Sequence, residues 1–315
     1  MNNARHLLRA SDLSLGDVYA LLDAAACFER QFTEPQPNAE HRLMRHQRCD
    51  RMQGRVLINF FAEPSTRTRL SFERAMLALG GCVQNIGAAE SSLEKGESFE
   101  DMGRVLSCYG DVIAVRHPSS DAMVAFVRGA QVPVVNAGDG SHEHPTQSLL
   151  DLYTMRRRLG RLEQLVVGFL GDLKHSRTMH SLAHMLVPFN AHLVCVSPPA
   201  LKLPGTIGDA LIARGARIDV AKNLASVLPE LDVLYVTRLQ RERFEEAALY
   251  DSVCADYQVS AADLVRAKRN MVIMHPLPRV RELDPDVDSD PRAAYFDQVR
   301  YGVPVRMAIL AHLLA

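Results

Sequence analysis

The feature that most constrains the fold is a repeated unit: a short run of β-forming residues, a polar turn, then an amphipathic stripe. Its clearest copy occupies residues 55–81. The apolar run Val56-Leu57-Ile58-Asn59-Phe60-Phe61 leads into Glu63-Pro64-Ser65-Thr66-Arg67-Thr68-Arg69. Phe72, Ala75, Met76 and Leu79 then fall at i, i+3, i+4 and i+7, the stripe of a helix. Gly80-Gly81 ends that helix as a C-terminal glycine cap does. Further strands are predicted at 82–86, 112–115, 132–136, 166–170, 193–196, 233–236 and 271–274, and Pro133 marks the fourth as an edge strand. Strands that alternate with helices predict an α/β fold with mostly parallel sheets flanked by helices.

A chain of 315 residues has room for two domains. The strands fall into two series, before and after a helix through Leu149, Leu150, Leu152, Tyr153 and Met155. Ser14 and Asp17 start a helix near the N-terminus, and residues 31–53 read as a loop. At the other end, two helical segments separated by Gly302 are predicted after an acidic loop at 284–291.

The chemistry collects where the strands end. Ser65, Thr66, Arg67 and Thr68 open a helix, where unpaired N–H groups and the helix dipole already favour an anion. Three hydroxyls and a guanidinium fork make that turn an oxyanion site rather than a plain helix cap. The Gly-rich run and Lys-Ser/Thr of a P-loop are missing. Other strand ends carry Ser91 to Lys95, Arg116, His144, Arg177 and Arg238, and ligands of open parallel sheets bind at such ends. Arg177 and Arg238 in the second series suit a small dicarboxylate, each fork taking one carboxylate. No nucleophile with its base and no carboxylate pair stands out.

Several patterns have blander readings. Arg42, Arg45, Arg48 and Arg51 recur every three residues, but no aromatics interleave, so a solvated face is favoured over nucleic-acid binding. His180 and His184 lack the glutamate of a zinc protease helix, and His142 with His144 lacks further ligands, so no metal is expected. Gly168-Phe169-Leu170-Gly171 falls short of a dinucleotide fingerprint, and no cofactor is expected. A net charge of −1 argues against nucleic-acid or membrane partners. Six cysteines scattered at 27, 49, 82, 108, 195 and 254 read as reduced thiols, and with no apolar leader at the N-terminus they suggest a cytoplasmic protein.

Three motifs together are similar to those of one family. Ser65-Thr66-Arg67-Thr68-Arg69, His144-Pro145-Thr146-Gln147 and His275-Pro276-Leu277-Pro278-Arg279 resemble, in order and spacing, the signatures of the aspartate/ornithine carbamoyltransferases. The resemblance spans essentially the whole chain. Ornithine-specific members carry a cysteine where this chain has Pro276, so the third motif resembles the aspartate branch. Residues 171–178 and 237–243 also resemble that branch, and the loop at 91–97 resembles its mobile loop.

The resemblance implies two α/β domains: a carbamoyl-phosphate-binding domain at 1–147 and an aspartate-binding domain at 148–292, with a C-terminal helix at 293–315 returning to the first. It implies transfer of a carbamoyl group from carbamoyl phosphate to L-aspartate in pyrimidine biosynthesis. Ser65, Thr66, Arg67 and Thr68 would hold the phosphate. Thr68, Arg116 and His144 would surround the carbonyl oxygen as the catalytic set. Gln147 and the carbonyl of Leu277, before Pro278 in a cis peptide, would orient the amide. Arg177, Arg238, Gln240 and Lys95 would take the aspartate. A homotrimer is implied, with Lys95 and Ser91 or Ser92 reaching the neighbouring subunit's site, and a regulatory chain or dihydroorotase-like partner would fit. Other readings are a different amine acceptor, a non-catalytic subunit of the same fold, and a dinucleotide-dependent oxidoreductase.

Overall fold

A computed structural model describes residues 6–33, 49–140, 142–239, 250 and 256–315. The arginine stripe from Arg42 to Arg48 and residue Gln240 lie outside them. The chain divides into two compact units, residues 1–153 with 299–315, and residues 154–298.

In the first unit, β1 (Val56–Phe61), β2 (Cys82–Gly87), β3 (Val112–His117) and β4 (Val134–Asp139) form a sheet of order β2-β1-β3-β4, with every pairing parallel. The helices of this unit are α1 (Leu15–Thr33), α2 (Arg67–Ala78), α3 (Phe99–Ser107), α4 (Ser120–Gly129) and α5 (Pro145–Leu159). β1 is interior, and its residues beyond Val56 are buried, which is why it reads as one apolar run. On one face Ile58, Phe60, Ile113 and Val115 pack with Met102 and Leu106 of α3 and Met123 and Phe126 of α4. Phe60 stacks on Phe126 with ring centroids 5.9 Å apart. A twelve-residue helix is marginal alone. Burial of Phe72 and Met76 stabilises α2 by on the order of 1.5–3 kcal/mol each.

The second unit repeats the plan. Its sheet has the order β7-β6-β5-β8-β9, again parallel throughout, from β5 (Val166–Leu170), β6 (His192–Val196), β7 (Arg217–Val220), β8 (Val233–Val236) and β9 (Val272–Met274). Helices α6 (Arg177–Leu186) and α7 (Gly205–Ala213) belong to it. Leu170, Val194, Val196, Leu234, Val236 and Ile273 share one cluster with Leu231, Val287 and Tyr295.

Several elements depart from expectation. β7 and α7 are absent from the sequence reading because β7 is exposed along most of its length and α7 has only Leu211 buried. The two C-terminal segments are one helix, α8 (Tyr295–Leu313), which runs through both Gly302 and Pro304. A Cβ at Gly302 would lie 2.7 Å from Nη1 of Arg306, so a side chain there would have to displace that guanidinium. Residues 299–315 of α8 belong to the first unit, where Tyr301 packs edge-on against Tyr153 at 5.4 Å.

Each sheet has two edges. β2 and β7 are largely exposed and carry polar side chains such as Gln84, Asn85, Arg217 and Asp219. The apolar edges are bridged instead. Leu7 pairs with Val135 of β4, through Leu7 N–H to the Val134 carbonyl and Asn136 N–H to the Leu7 carbonyl. Ala293 pairs with Ile273 of β9 in the same way.

Helices α3 and α4 touch backbone to backbone. A Cβ on Gly129 would sit 1.8 Å from the carbonyl oxygen of Glu100, and one on Gly103 would sit 2.2 Å from that of Phe126. Gly129→Ala should therefore cost about 1–3 kcal/mol or more in chemical denaturation, because neither helix can yield without losing its place on the sheet. Gly205→Ala, where a Cβ would meet nothing within 4 Å, should change stability by less than about 1 kcal/mol. Equal effects of the two would refute the close-packing argument.

Candidate active site

Parallel order places the ends of β1 and β3 side by side, with Phe61 in register with Arg116. The chain leaves β1 for β2 on one side and later returns to β3 on the other, so a crevice opens between these ends. The turn after β1 sits at this point. Ser65 is half-buried, Thr66 is exposed, Arg67 is half-buried at the start of α2, and Thr68 is buried. Thr66 caps α2 in helical conformation, with no side-chain bond to the first turn. Burial lowers the pKa of the Arg67 guanidinium, the signature of a cation partly withdrawn from water.

Arg116 is the next-to-last residue of β3, 14% exposed at its side chain, with Nε 3.3 Å from Oε2 of Glu63 and Nη1 3.5 Å from the Ala137 carbonyl. Glu63 was not singled out in the sequence, although it opens the same turn. The third component comes from the loop after β4. His144 is buried, and its Nε2 lies 3.5 Å from Oγ1 of Thr68. Pro145 begins α5 directly after it, and Gln147 donates to Asp151 at 2.9 Å. Thr68, Arg116 and His144 thus come from three successive strand ends of one unit.

Beneath them lies Arg306 of α8, a residue the sequence reading passed over. It is 2% exposed, donates to Oγ1 of Thr146 and to the Gly302 carbonyl at 3.2 Å each, and lies over the Phe72 ring at 5.0 Å. Burial pushes its guanidinium down to about 9, opposed by Asp151. A lone cation within the apolar run 303–310 was the available signal. Arg306 links α8 to the first turn of α5 and the buried face of α2.

In the second unit, Arg177 starts α6 after β5, and Arg238 follows β8; Leu170 and Val236 are in register, so both arginines stem from neighbouring strand ends. That pair of ends is again where the strand order reverses. Asp172 is fully buried and accepts from the N–H groups of Lys174 and His175, which shapes the turn before Arg177. Thr237 Oγ1 donates to the Leu170 carbonyl at 3.0 Å and locks the turn before Arg238. Leu277 and Pro278 follow β9; the bond between them is cis, and Leu277 has a φ of 55°.

The loop from 91 to 95 forms a 3-10 turn, Ser92–Lys95, closed by Gly96 at φ 88°. Ser91 Oγ donates to the Ala88 carbonyl at 2.7 Å, while Ser92 and Lys95 are exposed. The histidines weighed as metal ligands are otherwise engaged. His180 Nε2 is 2.7 Å from the Leu173 carbonyl, and His184 Nδ1 is 3.0 Å from Nη1 of Arg214. No cluster of three or more His, Cys, Asp or Glu suited to a metal occurs among the described residues.

Residues 5–157 match the sequence model of "Aspartate/ornithine carbamoyltransferase, carbamoyl-P binding domain", and residues 163–313 match that of the "Asp/Orn binding domain". The chain belongs to the aspartate/ornithine carbamoyltransferase family. Among relatives, the aspartate carbamoyltransferase catalytic subunit of Thermococcus gammatolerans is 46% identical, over 98% of this chain and 97% of its own. That of Thermococcus onnurineus is 49% identical, over 86% and 88%. Aspartate transcarbamoylase from Trypanosoma cruzi, solved in complex with carbamoyl phosphate and aspartate, superposes with a TM-score of 0.90 at 39% identity, over 100% of this chain and 96% of that one. The same enzyme with N-(phosphonacetyl)-L-aspartic acid gives 0.91 at 40%, over 100% and 97%.

Arg67 is the cation of the turn that burial already strains, so it has most to gain from an anionic ligand. Arg67→Ala should weaken carbamoyl phosphate binding by about 2–5 kcal/mol in calorimetry. Wild-type affinity in that variant would remove the turn after β1 from the site.

Proposed function

We propose that the chain catalyses carbamoylation of L-aspartate, with the first unit binding carbamoyl phosphate and the second binding aspartate. The observation that carries this reading is that His144 Nε2 lies 3.5 Å from Oγ1 of Thr68 in the first turn of α2, whose cap makes no side-chain bond, while Arg116 lies on the adjoining strand end in register with Phe61. The choice of aspartate is supported by Pro276 in the third motif and by relatives that act as aspartate carbamoyltransferases.

The amine of aspartate attacks the carbamoyl carbon, and negative charge grows on the carbonyl oxygen. Thr68, Arg116 and His144 are the donors for that oxygen, held in place before the reaction by burial and by Glu63. Ser65, Thr66, Arg67 and Thr68 take the phosphate, whose bond to the carbamoyl carbon then breaks. Gln147 and the Leu277 carbonyl orient the carbamoyl amide. Arg177 and Arg238 bind the two carboxylates of aspartate, with Gln240 and Lys95 in support. The leaving phosphate accepts the proton lost by the amine, so no side chain has to act as general base. Rate acceleration comes chiefly from positioning and preorganised charge. The products are N-carbamoyl-L-aspartate and phosphate, which places the reaction in pyrimidine biosynthesis. No helix among the described residues is long and apolar enough to cross a membrane, in keeping with a cytoplasmic enzyme.

The site is completed in a homotrimer, each subunit lending Lys95 and a loop serine, Ser91 or Ser92, to its neighbour. The exposure of Lys95 on a loop that buries little of its own surface supports this. A regulatory chain or a dihydroorotase-like partner is compatible with such a trimer.

A colorimetric assay for carbamoyl-aspartate tests the reaction itself; no product from carbamoyl phosphate and aspartate would overturn it. Arg238→Ala should raise the aspartate KM steeply while leaving carbamoyl phosphate affinity nearly intact, and an equal loss for both substrates would contradict the division of labour between the units. For the shared site, Lys95→Ala and Arg67→Ala should each be nearly inactive alone, yet regain activity when mixed under conditions of chain exchange. A hybrid trimer carries one intact site of three, pairing Arg67 of one chain with Lys95 of another. No recovery, with exchange verified by native mass spectrometry, would confine Lys95 to its own chain.

A further inference from the structure

The turn that carries Leu277 is held by a buried pair which the reaction above does not use. His275 and Glu282 are each 1% exposed, and His275 Nε2 lies 2.9 Å from Oε1 of Glu282. A buried histidine beside a carboxylate invites an acid–base reading. The other ring nitrogen rules that out. Nδ1 of His275 accepts the main-chain N–H of Leu277 at 2.8 Å, so its lone pair is occupied and it carries no proton. The proton of the neutral ring is therefore on Nε2, where it is donated to Glu282.

Glu282 is itself fixed. Its carboxylate accepts the N–H groups of Val280 and Arg281 at 3.2 Å each, and its carbonyl accepts from Val259 N–H at 3.0 Å. Burial alone would raise the Glu282 pKa, but the hydrogen bonds from His275 and from the main chain outweigh it and keep the group ionised. On the other side, His275 N–H donates to Oε1 of Gln298 at 2.8 Å, and Gln298 is also buried. The pair thus closes a loop of hydrogen bonds from residue 275 to residue 282. Leu277 stands within it at φ 55°, a left-handed conformation that a leucine holds only when its surroundings impose it.

We infer that His275 and Glu282 are positioning residues which hold the Leu277 peptide so that its carbonyl faces the carbamoyl NH2, and that they take no part in proton transfer. The inference rests on the proposed reaction through that one carbonyl. Its consequence is specific. A loosened pair should harm recognition of the NH2 group and spare recognition of the phosphate.

Acetyl phosphate supplies the contrast, because a methyl group replaces the NH2 and cannot donate to Leu277. Affinities of both compounds for the purified enzyme and its variants, measured by calorimetry, separate the two contributions. Glu282→Ala should weaken carbamoyl phosphate about tenfold or more while changing acetyl phosphate less than about threefold. His275→Ala should behave alike. His275→Asn, whose side-chain oxygen can accept the Leu277 N–H in place of Nδ1, should recover most of the discrimination. Glu282→Gln, which keeps an acceptor for Nε2–H, should retain most of the discrimination, and if Glu282→Ala does not fold, His275→Ala supplies the loosened pair. Equal weakening of both compounds, unchanged affinity for both, or an asparagine variant no better than the alanine one would overturn the inference. Carbamoyl-aspartate formation by the wild type, assayed alongside, separates a failure of the inference from a failure of the proposed reaction.

Discussion

Parallel strand pairing is the constraint on which the rest of the molecule depends. When β1 pairs with β2 on one side and β3 on the other in the same direction, the turns that leave all three strands open at one end of the sheet. The crossover helices must then start at that end, each with unpaired N–H groups. Residues far apart in sequence, such as Thr68, Arg116 and His144, reach the same end of the sheet because their strands are neighbours, not because any local motif joins them. The second unit applies the same rule to β5 and β8, and Arg177 and Arg238 follow from it. Two copies of one architectural rule thus supply two sets of cations.

The charges in the first unit are graded by depth. Arg67 is partly exposed and Arg116 mostly covered, while Arg306 is fully enclosed against Phe72 and Thr146. Enclosure weakens water's screening, so a charge there acts over a longer distance than it would at the surface. The same enclosure is costly, and the structure offsets it with hydrogen bonds to Thr146 and Gly302 and with the nearby Asp151. Glu63 performs the equivalent service for Arg116. The result is a set of cations held in place by their neighbours before any anion arrives, which is the condition for stabilising charge that develops in a reaction.

Much of this was legible in the amino-acid order, and the exceptions have physical causes. Interior strands such as β1 and β5 bury both faces and so appear as predominantly apolar runs. β7 does neither: Arg217-Ile218-Asp219-Val220 lies at an open edge, and nothing in its pattern exceeds that of a loop. The C-terminal helix was divided at Gly302 because local propensity disfavours glycine within a helix. Tertiary structure overrides that preference, since the space left by the missing side chain is where the Arg306 guanidinium lies. Candidate site residues at strand ends were visible because polar clusters follow apolar runs. Glu63, Arg306 and Glu282 were not, because each is defined by a partner brought near through folding. Gln240 lies outside the described residues, and its role stays with the family resemblance.

The treatment of the sheet edges has a consequence for the chain's behaviour among its own copies. An unpaired apolar strand edge is a template for any passing extended segment, and association through such edges is the common route to fibrous aggregation. Here the two edges rich in apolar side chains, β4 and β9, are those to which Leu7 and Ala293 bind. The two left open, β2 and β7, present glutamine, asparagine, arginine and aspartate. The bridges at Leu7 and Ala293 therefore occupy main-chain groups of β4 and β9 that would otherwise stand open to an extended segment. A chain without them would present those groups to its own copies, a defect that measurements of turnover would not reveal.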